Sequence, residues 1–267
     1  MDLEDFKKRI LIYTGIDLNY YNPNMLRRRL KSLLAKLGMS SIDEYWELIR
    51  KDYDELRRFL DYVTINVTKF FRDPIKFAYL QEAVIPVILS NTKEPRIWSC
   101  ACSSGEEPYS IAIILEELMV DKSVKIVATD IDSVAIKGVE EGVYRASAVS
   151  NLNEKLLKKY FDKEGDDYKV KDVLRERIEL KYFNLISDNY KFNYYDLIIC
   201  RNVIIHFARG VKDTLFKNFN SAMRDQGFLF LGGSEKILIP DQYGFKHWKY
   251  EMYQKTESIF DNKNISL

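Results

Sequence analysis

The chain changes its hydrophobic period near residue 96. Before that point apolar residues recur at helical spacing. Leu26, Leu30, Leu33, Leu34 and Leu37 share one helix face, opened by Asn22-Pro23 as N-cap and first-turn proline and closed by Gly38. Ser41 and Glu44 form a capping-box signature for the next helix, and a third helical run spans Asp54 to Ile65. Asp73-Pro74 opens a further helix carrying Phe77, Leu80, Val84 and Val87, and residues 91–95 read as a linker. From residue 96 short apolar runs alternate with helical ones. Strands are expected over 96–101, 124–129, 196–201 and 227–232, and helices over 108–119, 133–141 and 211–224. Strands separated by helices imply parallel pairing through crossovers, an open α/β sheet. The aromatic, alternating stretch Phe245 to Lys255 predicts a closing antiparallel strand.

Residues 152–182 interrupt the alternation. Lys159-Tyr160-Phe161, a turn at Glu164-Gly165-Asp166, Tyr168-Lys169-Val170 and Ile178 to Tyr182 read as a small antiparallel β insert. It is too small for a core of its own and should lean on the main domain.

Composition excludes several classes. With 267 residues, 46% hydrophobic and 30% charged, the chain suits one large domain or a medium domain plus a small one. A formal net charge of +1 gives no global field for nucleic acid or an anionic membrane. No run approaches the roughly 18–20 apolar residues that span a bilayer, so no membrane insertion is expected. The charged stretch Asp2 to Arg9 argues against a secretory signal, and the expected location is cytoplasmic. The three cysteines, Cys100, Cys102 and Cys200, with only two histidines in the chain, do not make a zinc site, so no metal is expected. They read as reduced, buried and structural.

The candidate chemistry begins in Arg96-Ile97-Trp98-Ser99-Cys100-Ala101-Cys102-Ser103-Ser104-Gly105-Glu106-Glu107-Pro108-Tyr109-Ser110, a strand, a small-residue turn and a helix start. The next apolar strand, Val124 to Ala128, ends in Thr129-Asp130-Ile131-Asp132. A strand–turn–helix unit with a carboxylate at the tip of the following strand holds adenosine ligands. The turn lets backbone approach, and the acid accepts from ribose hydroxyls. With one glycine where a dinucleotide fold has three, Ser103-Ser104-Gly105-Glu106 alone also suits an ordinary strand–helix turn.

Six blocks in order carry a resemblance. They are Asn66-Val67-Thr68-Lys69-Phe70-Phe71-Arg72-Asp73, the segment Cys102 to Ser110, Ala128-Thr129-Asp130-Ile131-Asp132, Asn184-Leu185, the segment Asp196 to Phe207, and Gly227-Phe228-Leu229-Phe230-Leu231-Gly232-Gly233-Ser234-Glu235. In these the chain resembles the chemotaxis receptor methyltransferase (CheR) family over nearly its whole length. The resemblance implies transfer of a methyl group from S-adenosylmethionine to glutamate carboxylates of methyl-accepting chemotaxis receptors. The products would be glutamate methyl esters and S-adenosylhomocysteine, and the role sensory adaptation. It implies an all-helical N-terminal domain (1–72), a connecting helix and linker (73–95), a Rossmann-like class I methyltransferase domain (96–257, with the β insert at 152–182) and a tail (258–267). The sheet should be mostly parallel with an antiparallel last strand.

Matching the family's cofactor-binding positions are Asn66, Thr68, Arg72, Glu106, Asp130, Asn184, Leu185, Arg201 and Asn202, with Arg72 and His206 as catalytic candidates. Asp130 suits the ribose hydroxyls. Glu106 would face the cofactor's ammonium or sulfonium region, and Asn184 and Leu185 the adenine edge and face. Asn202 stands at a strand's carboxyl end, where ligand crevices of open sheets lie. Arg72 and Arg201 can each fork onto a carboxylate, one that of the cofactor's methionine, the other the acceptor. Phe70 and Phe71 read as packing rather than stacking residues. Family members often carry a tyrosine where this chain has His206, which reads as a neutral wall rather than a base. A glutamate carboxylate is ionised at neutral pH and needs no general base.

The expected partner is the cytoplasmic helical region of a chemoreceptor, met by a monomer. Its contact would be the basic face of the Arg27, Arg28, Arg29, Lys31 and Lys36 helix, chiefly Arg27, Arg28 and Lys31. The ordinary alternative for such a run is a solvated surface. The short Lys163 to Asp167 turn suggests a version that needs no tethering receptor peptide. A non-catalytic S-adenosylmethionine-binding signalling module of the same fold is the rival reading. A small-molecule or nucleic-acid methyltransferase is a weaker one, since no extended basic patch with interleaved aromatics marks a nucleic-acid surface.

Overall fold

A computed structural model describes residues 1–64 and 68–256; the candidate Asn66 and the expected tail 258–267 lie outside the described residues. The chain begins with helices α1 (Leu3–Thr14), α2 (Pro23–Leu37), α3 (Ile42–Ile49) and α4 (Tyr53–Thr64). Each start is chemically marked. Asp2 accepts from Asp5 N, and Asn22 accepts from Asn24 N and Met25 N ahead of Pro23. Ser41 Oγ accepts from Glu44 N, while Glu44 reaches back to Ser40 N at 2.9 Å, one residue before the partner a standard capping box would use. Gly15 and Gly38 end α1 and α2 with φ of 76° and 70°.

These helices form one of two compact units, together with Val203–Thr214. Its core joins Phe6, Ile10, Leu26, Leu30, Tyr45, Ile49, Phe59 and Val63. Of the leucine face on α2, Leu26 and Leu30 are buried, Leu33 and Leu34 half-buried and Leu37 exposed. The later segment is laced in by Asn22 N donating to the His206 carbonyl at 2.8 Å and Ala208 N to that of Tyr20 at 2.8 Å. The sequence offered no sign of this second contribution.

The other unit opens on a segment expected in the helical domain. Phe70 is fully buried, meets Tyr144 and Phe161 edge-on at 4.9 and 5.2 Å, and its amide donates to the Ala148 carbonyl. That packing moves the expected boundary at 72 to before Thr68. Helix α5 (Pro74–Tyr79) passes through a π-helical turn, Leu80–Val84, into α6 (Ile85–Asn91). Pro86 lacks an amide proton, and the wide turn before it accommodates the missing rung.

Alternation then gives β1 (Ile97–Cys100), α7 (Glu106–Glu117), β2 (Ile126–Asp130), α8 (Ser133–Glu141), β3 (Val143–Arg145), α9 (Glu154–Tyr160), β4 (Phe161–Glu164), β5 (Asp167–Val170), α10 (Asp172–Arg175) and β6 (Ile178–Tyr182). The chain finishes with β7 (Tyr195–Cys200), α11 (Arg209–Ala222), β8 (Met223–Leu231), β9 (Phe245–Lys249) and β10 (Met252–Lys255). A seven-stranded sheet runs β6-β2-β1-β7-β8-β10-β9, with β10 antiparallel to both neighbours and the other pairings parallel. Every residue of β1 and β7 is buried, as in a sheet covered on both faces.

Two strand expectations change. Ile178–Tyr182 pairs parallel with β2 as part of the main sheet, and the small sheet is β3-β5-β4. Buried Arg177 explains it: its guanidinium donates to the Val120, Asp121 and Val124 carbonyls, and its own carbonyl accepts from Ile126 N. The end of the chain forms a hairpin, β9 and β10, rather than one strand, because Tyr250-Glu251 turns it back; Tyr250 has φ 54°.

Candidate active site

The strand order reverses between β1 and β7, so their carboxyl ends border the crevice where open α/β sheets bind ligands. Asp130 ends β2, Arg201-Asn202 follow β7, and Asn184-Leu185 follow β6. The β1–α7 turn carries left-handed backbone at Ala101, Ser103 and Gly105, φ 52°, 48° and 95°. Gly105 is required twice over, by that φ and because a Cβ there would stand 2.8 Å from both Tyr144 Oη and Val139 Cγ1. Tyr144 Oη donates to the Ser104 carbonyl at 2.6 Å and fixes the turn from below.

Asp130 joins this turn to β2. Its Oδ2 accepts from Ser103 N at 2.8 Å and its Oδ1 from Asp132 N at 2.9 Å. One bond on each oxygen leaves further lone pairs for a vicinal diol. Burial raises the Asp130 carboxyl above its ordinary range, against these backbone bonds. Glu106 is 5% exposed and accepts from Ser104 Oγ at 2.7 Å; burial raises its pKa too.

Arg201 is spent differently from the sequence expectation. Nη2 donates to the Arg72 carbonyl at 3.0 Å and pairs with Asp73 at 2.5 Å, and Nη1 lies 3.4 Å from Glu107. The guanidinium sits over Phe230 and Phe77, 4.8 and 5.2 Å from the ring centroids. With both Nη groups held by the protein, the fork is occupied; Nε is buried without a hydrogen-bond partner among the described residues. Glu107, raised by burial despite Arg201, accepts from Ser99 Oγ at 2.9 Å.

The structure brings Glu106, Asp130, Asn184, Leu185, Arg201 and Asn202 to one sheet edge. Leu185 is buried, and Phe183 N donates to the Asp130 carbonyl, setting this loop beside β2. Half-buried Thr68 and Arg72 lie in the segment tied to α7 by Phe71 N donating to Ser110 Oγ at 2.9 Å. His206 is buried in the helical unit, in the 3-10 turn Ile204–His206. Arg27, Arg28 and Lys31 are exposed on α2 in the same unit, but Arg29 turns inward to the Val63 carbonyl.

The residues present fit S-adenosylmethionine. A carboxylate with spare acceptor capacity stands at the tip of β2, a glycine turn lets backbone come close, and Arg201 leaves a buried donor unsatisfied. Asp73, Ser99, Glu107, Tyr144 and Glu235 escaped the sequence reading. Asp73 stands before Pro74 like a helix cap, yet it makes no capping bond and serves Arg201 instead. Glu107 carries no sequence signal beyond its place as a first-turn acid, which the helix dipole favours. Glu235 had one available signal, its place after two glycines at a strand end.

Comparison with known proteins identifies both parts of the chain. Residues 66–253 match the CheR methyltransferase SAM-binding domain, and residues 1–64 match the CheR methyltransferase all-alpha domain. A chemotaxis protein methyltransferase of Listeria innocua is 35% identical over 95% of this chain and 100% of the relative. One from Borreliella burgdorferi is 35% identical over 84% of this chain and 83% of its own. The chemotaxis protein methyltransferase Cher2 of Pseudomonas putida is 33% identical over 91% and 93%. Both domains of one family are thus matched in order along the sequence: this chain is a member of the CheR methyltransferase family.

Proposed function

We propose that the protein methylates glutamate side chains on the cytoplasmic helical region of chemoreceptors, yielding methyl esters and S-adenosylhomocysteine. One observation carries the acceptor class. The carboxylates Asp130, Glu106 and Glu107 at the sheet edge each have partners in the protein: Asp130 the Ser103 and Asp132 amides, Glu106 Ser104, Glu107 Ser99 and Arg201. The reading gives these groups to the turn, the cofactor and Arg201 and assigns none as a general base, so it favours an acceptor that arrives as an anionic nucleophile. A side-chain carboxylate does so at neutral pH.

When bound, S-adenosylmethionine supplies a sulfonium methyl already activated toward displacement. Asp130 would accept from its ribose hydroxyls, Leu185 would cover the adenine face and Asn184 its edge, and Glu106 would meet its cationic end. Thr68 and Asn202 would border the same crevice, with Asn66 completing the set. Arg72, held from behind by Arg201, would receive a carboxylate. Arg201 itself acts in this reading as the brace of Arg72. What these groups contribute is alignment and exclusion of water, worth about 7–11 kcal/mol in favourable cases.

On the helical unit, Arg27 and Lys31 flank a groove of about 330 Å³ floored by Leu3, Leu30, Leu34, Met39 and Ile42. Cations one turn apart beside an apolar floor suit an acidic amphipathic helix. The test of the whole reading is incubation with methyl-labelled cofactor and receptor-bearing membranes. Label on the receptor should be released as methanol by mild base. Base-stable label, or none, would refute a carboxyl ester.

A further inference from the structure

Beyond the engaged carboxylates above lies one more, with no place in the cofactor set. Glu235 is 4% exposed, and its Oε2 accepts from two main-chain amides, Asn202 N at 2.6 Å and Gly232 N at 2.7 Å. Gly232 follows β8 and Asn202 follows β7, neighbouring parallel strands, so this oxygen ties their carboxyl ends together. The turn closes on itself, since Glu235 N donates to the Gly232 carbonyl at 2.9 Å.

This tie bears directly on the Asn202 backbone. Its φ is 64°, in the left-handed region that asparagine visits more readily than other side-chain-bearing residues but still at some cost, which the bond from its amide to Glu235 helps to offset. The arrangement is close-fitting: a Cβ on Gly232 would stand 2.5 Å from Glu235 Oε2, 2.8 Å from Asn202 N and 3.0 Å from Asn202 Nδ2. The Asn202 amide thus rests over Gly232, and nothing larger fits beneath it.

We infer that Glu235 is a positioning residue that locks Asn202 in its left-handed conformation and so sets its amide at the reactive end of the crevice. This rests on the proposed cofactor site, and acts through Asn202 rather than by touching a ligand. A charged acceptor shared by two amides is stronger than a neutral one, and a misplacement near 1 Å at such a site costs about a hundredfold.

The experiment is a double-mutant cycle on the full chain. S-adenosylhomocysteine affinity is read by calorimetry, kcat by receptor methylation and folding by melting. Glu235→Gln and Asn202→Ala should each lower affinity or kcat by about tenfold or more, and the double variant should be no worse than the poorer single one. Gly232→Ala, which presses on the same oxygen, should reproduce the Glu235→Gln loss and carries the cycle if that variant fails to fold. Multiplying penalties, or a Glu235→Gln protein within about twofold of wild type, would overturn the clamp while leaving the crevice intact. An effect of Glu235→Gln with none of Asn202→Ala would do the same. Wild-type protein indifferent to S-adenosylhomocysteine would sink crevice and clamp together.

Discussion

Arg201 Nη2 holds the main-chain carbonyl of Arg72 at 3.0 Å, although the two residues are 129 positions apart. One arginine therefore supports the backbone of another, and Asp73 and Glu107 neutralise the support. Lysine keeps the charge but cannot reach three partners from one plane. Arg201→Lys should cost about 1.5–3 kcal/mol in denaturant unfolding, the scale of a lost hydrogen bond to a charged group, and weaken cofactor binding with it. A loss below about 0.5 kcal/mol would show that the network does not fix this segment.

Gly105→Ala attacks the turn directly. Left-handed backbone and contacts of 2.8 Å with Tyr144 and Val139 leave the methyl no room. Destabilisation of at least about 2 kcal/mol is expected, with S-adenosylhomocysteine binding lost before the fold. Calorimetry alongside melting separates the two; unchanged affinity would mean that the turn does not approach the ligand.

Glu106 links stability to pH. Burial raises its folded pKa, so its favourable contribution is complete at acid pH and is lost as pH rises through that raised value. Glutamine does not titrate. Ligand-free Glu106→Gln should therefore melt above wild type at neutral pH, by about 2–4 °C per kcal/mol relieved, and the gap should close toward about pH 4. Cofactor affinity should fall in the same variant. A gap that widens on acidification would contradict the burial argument.

Reversing Arg27, Arg28 and Lys31 to glutamate should slow receptor methylation by about tenfold at low ionic strength and less at high salt, since exposed charges steer encounter. S-adenosylhomocysteine affinity should stay within about twofold, because these exposed side chains are not among the residues proposed to hold the cofactor. Parallel loss of both would remove α2 as the receptor contact.

His206 is buried at 3% exposure in a 3-10 turn whose last carbonyl accepts from Asn22 N. As a buried packing residue of the helical unit it should tolerate an apolar ring. His206→Phe is expected to keep most turnover across about pH 6 to 8. Loss of a pH-dependent limb from the rate profile would instead assign it a proton.

The legible parts of the sequence were those with local causes. Pro23, Gly38 and Ser41 mark helix ends through their own backbone chemistry, and the all-buried β1 and β7 announce themselves as largely apolar runs, each broken by one polar residue, Ser99 and Asp196. The place of Asp130 at a strand tip beside a glycine turn was legible because both are local features of the sequence. What escaped depends on distant partners. Ile178–Tyr182 looks like any short strand, and only Arg177 reaching Val120, Asp121 and Val124 assigns it to the large sheet. Arg201 read as a ligand clamp because its partners Asp73 and Glu107 lie far off in sequence.

Because Val203–Thr214 folds with the amino-terminal helices, the polypeptide exchanges units directly after Asn202 and again before Leu215. Neither half can be excised as a single uninterrupted piece. A truncation ending after α4 would forfeit the strand bridge of Tyr21 with Phe207 and the Asn22 tie to His206, so the excised helices should be less stable than in the intact chain. Grafting this helical unit onto another protein would require two splice points within a dozen residues of each other, beside the residue proposed to face the ligand.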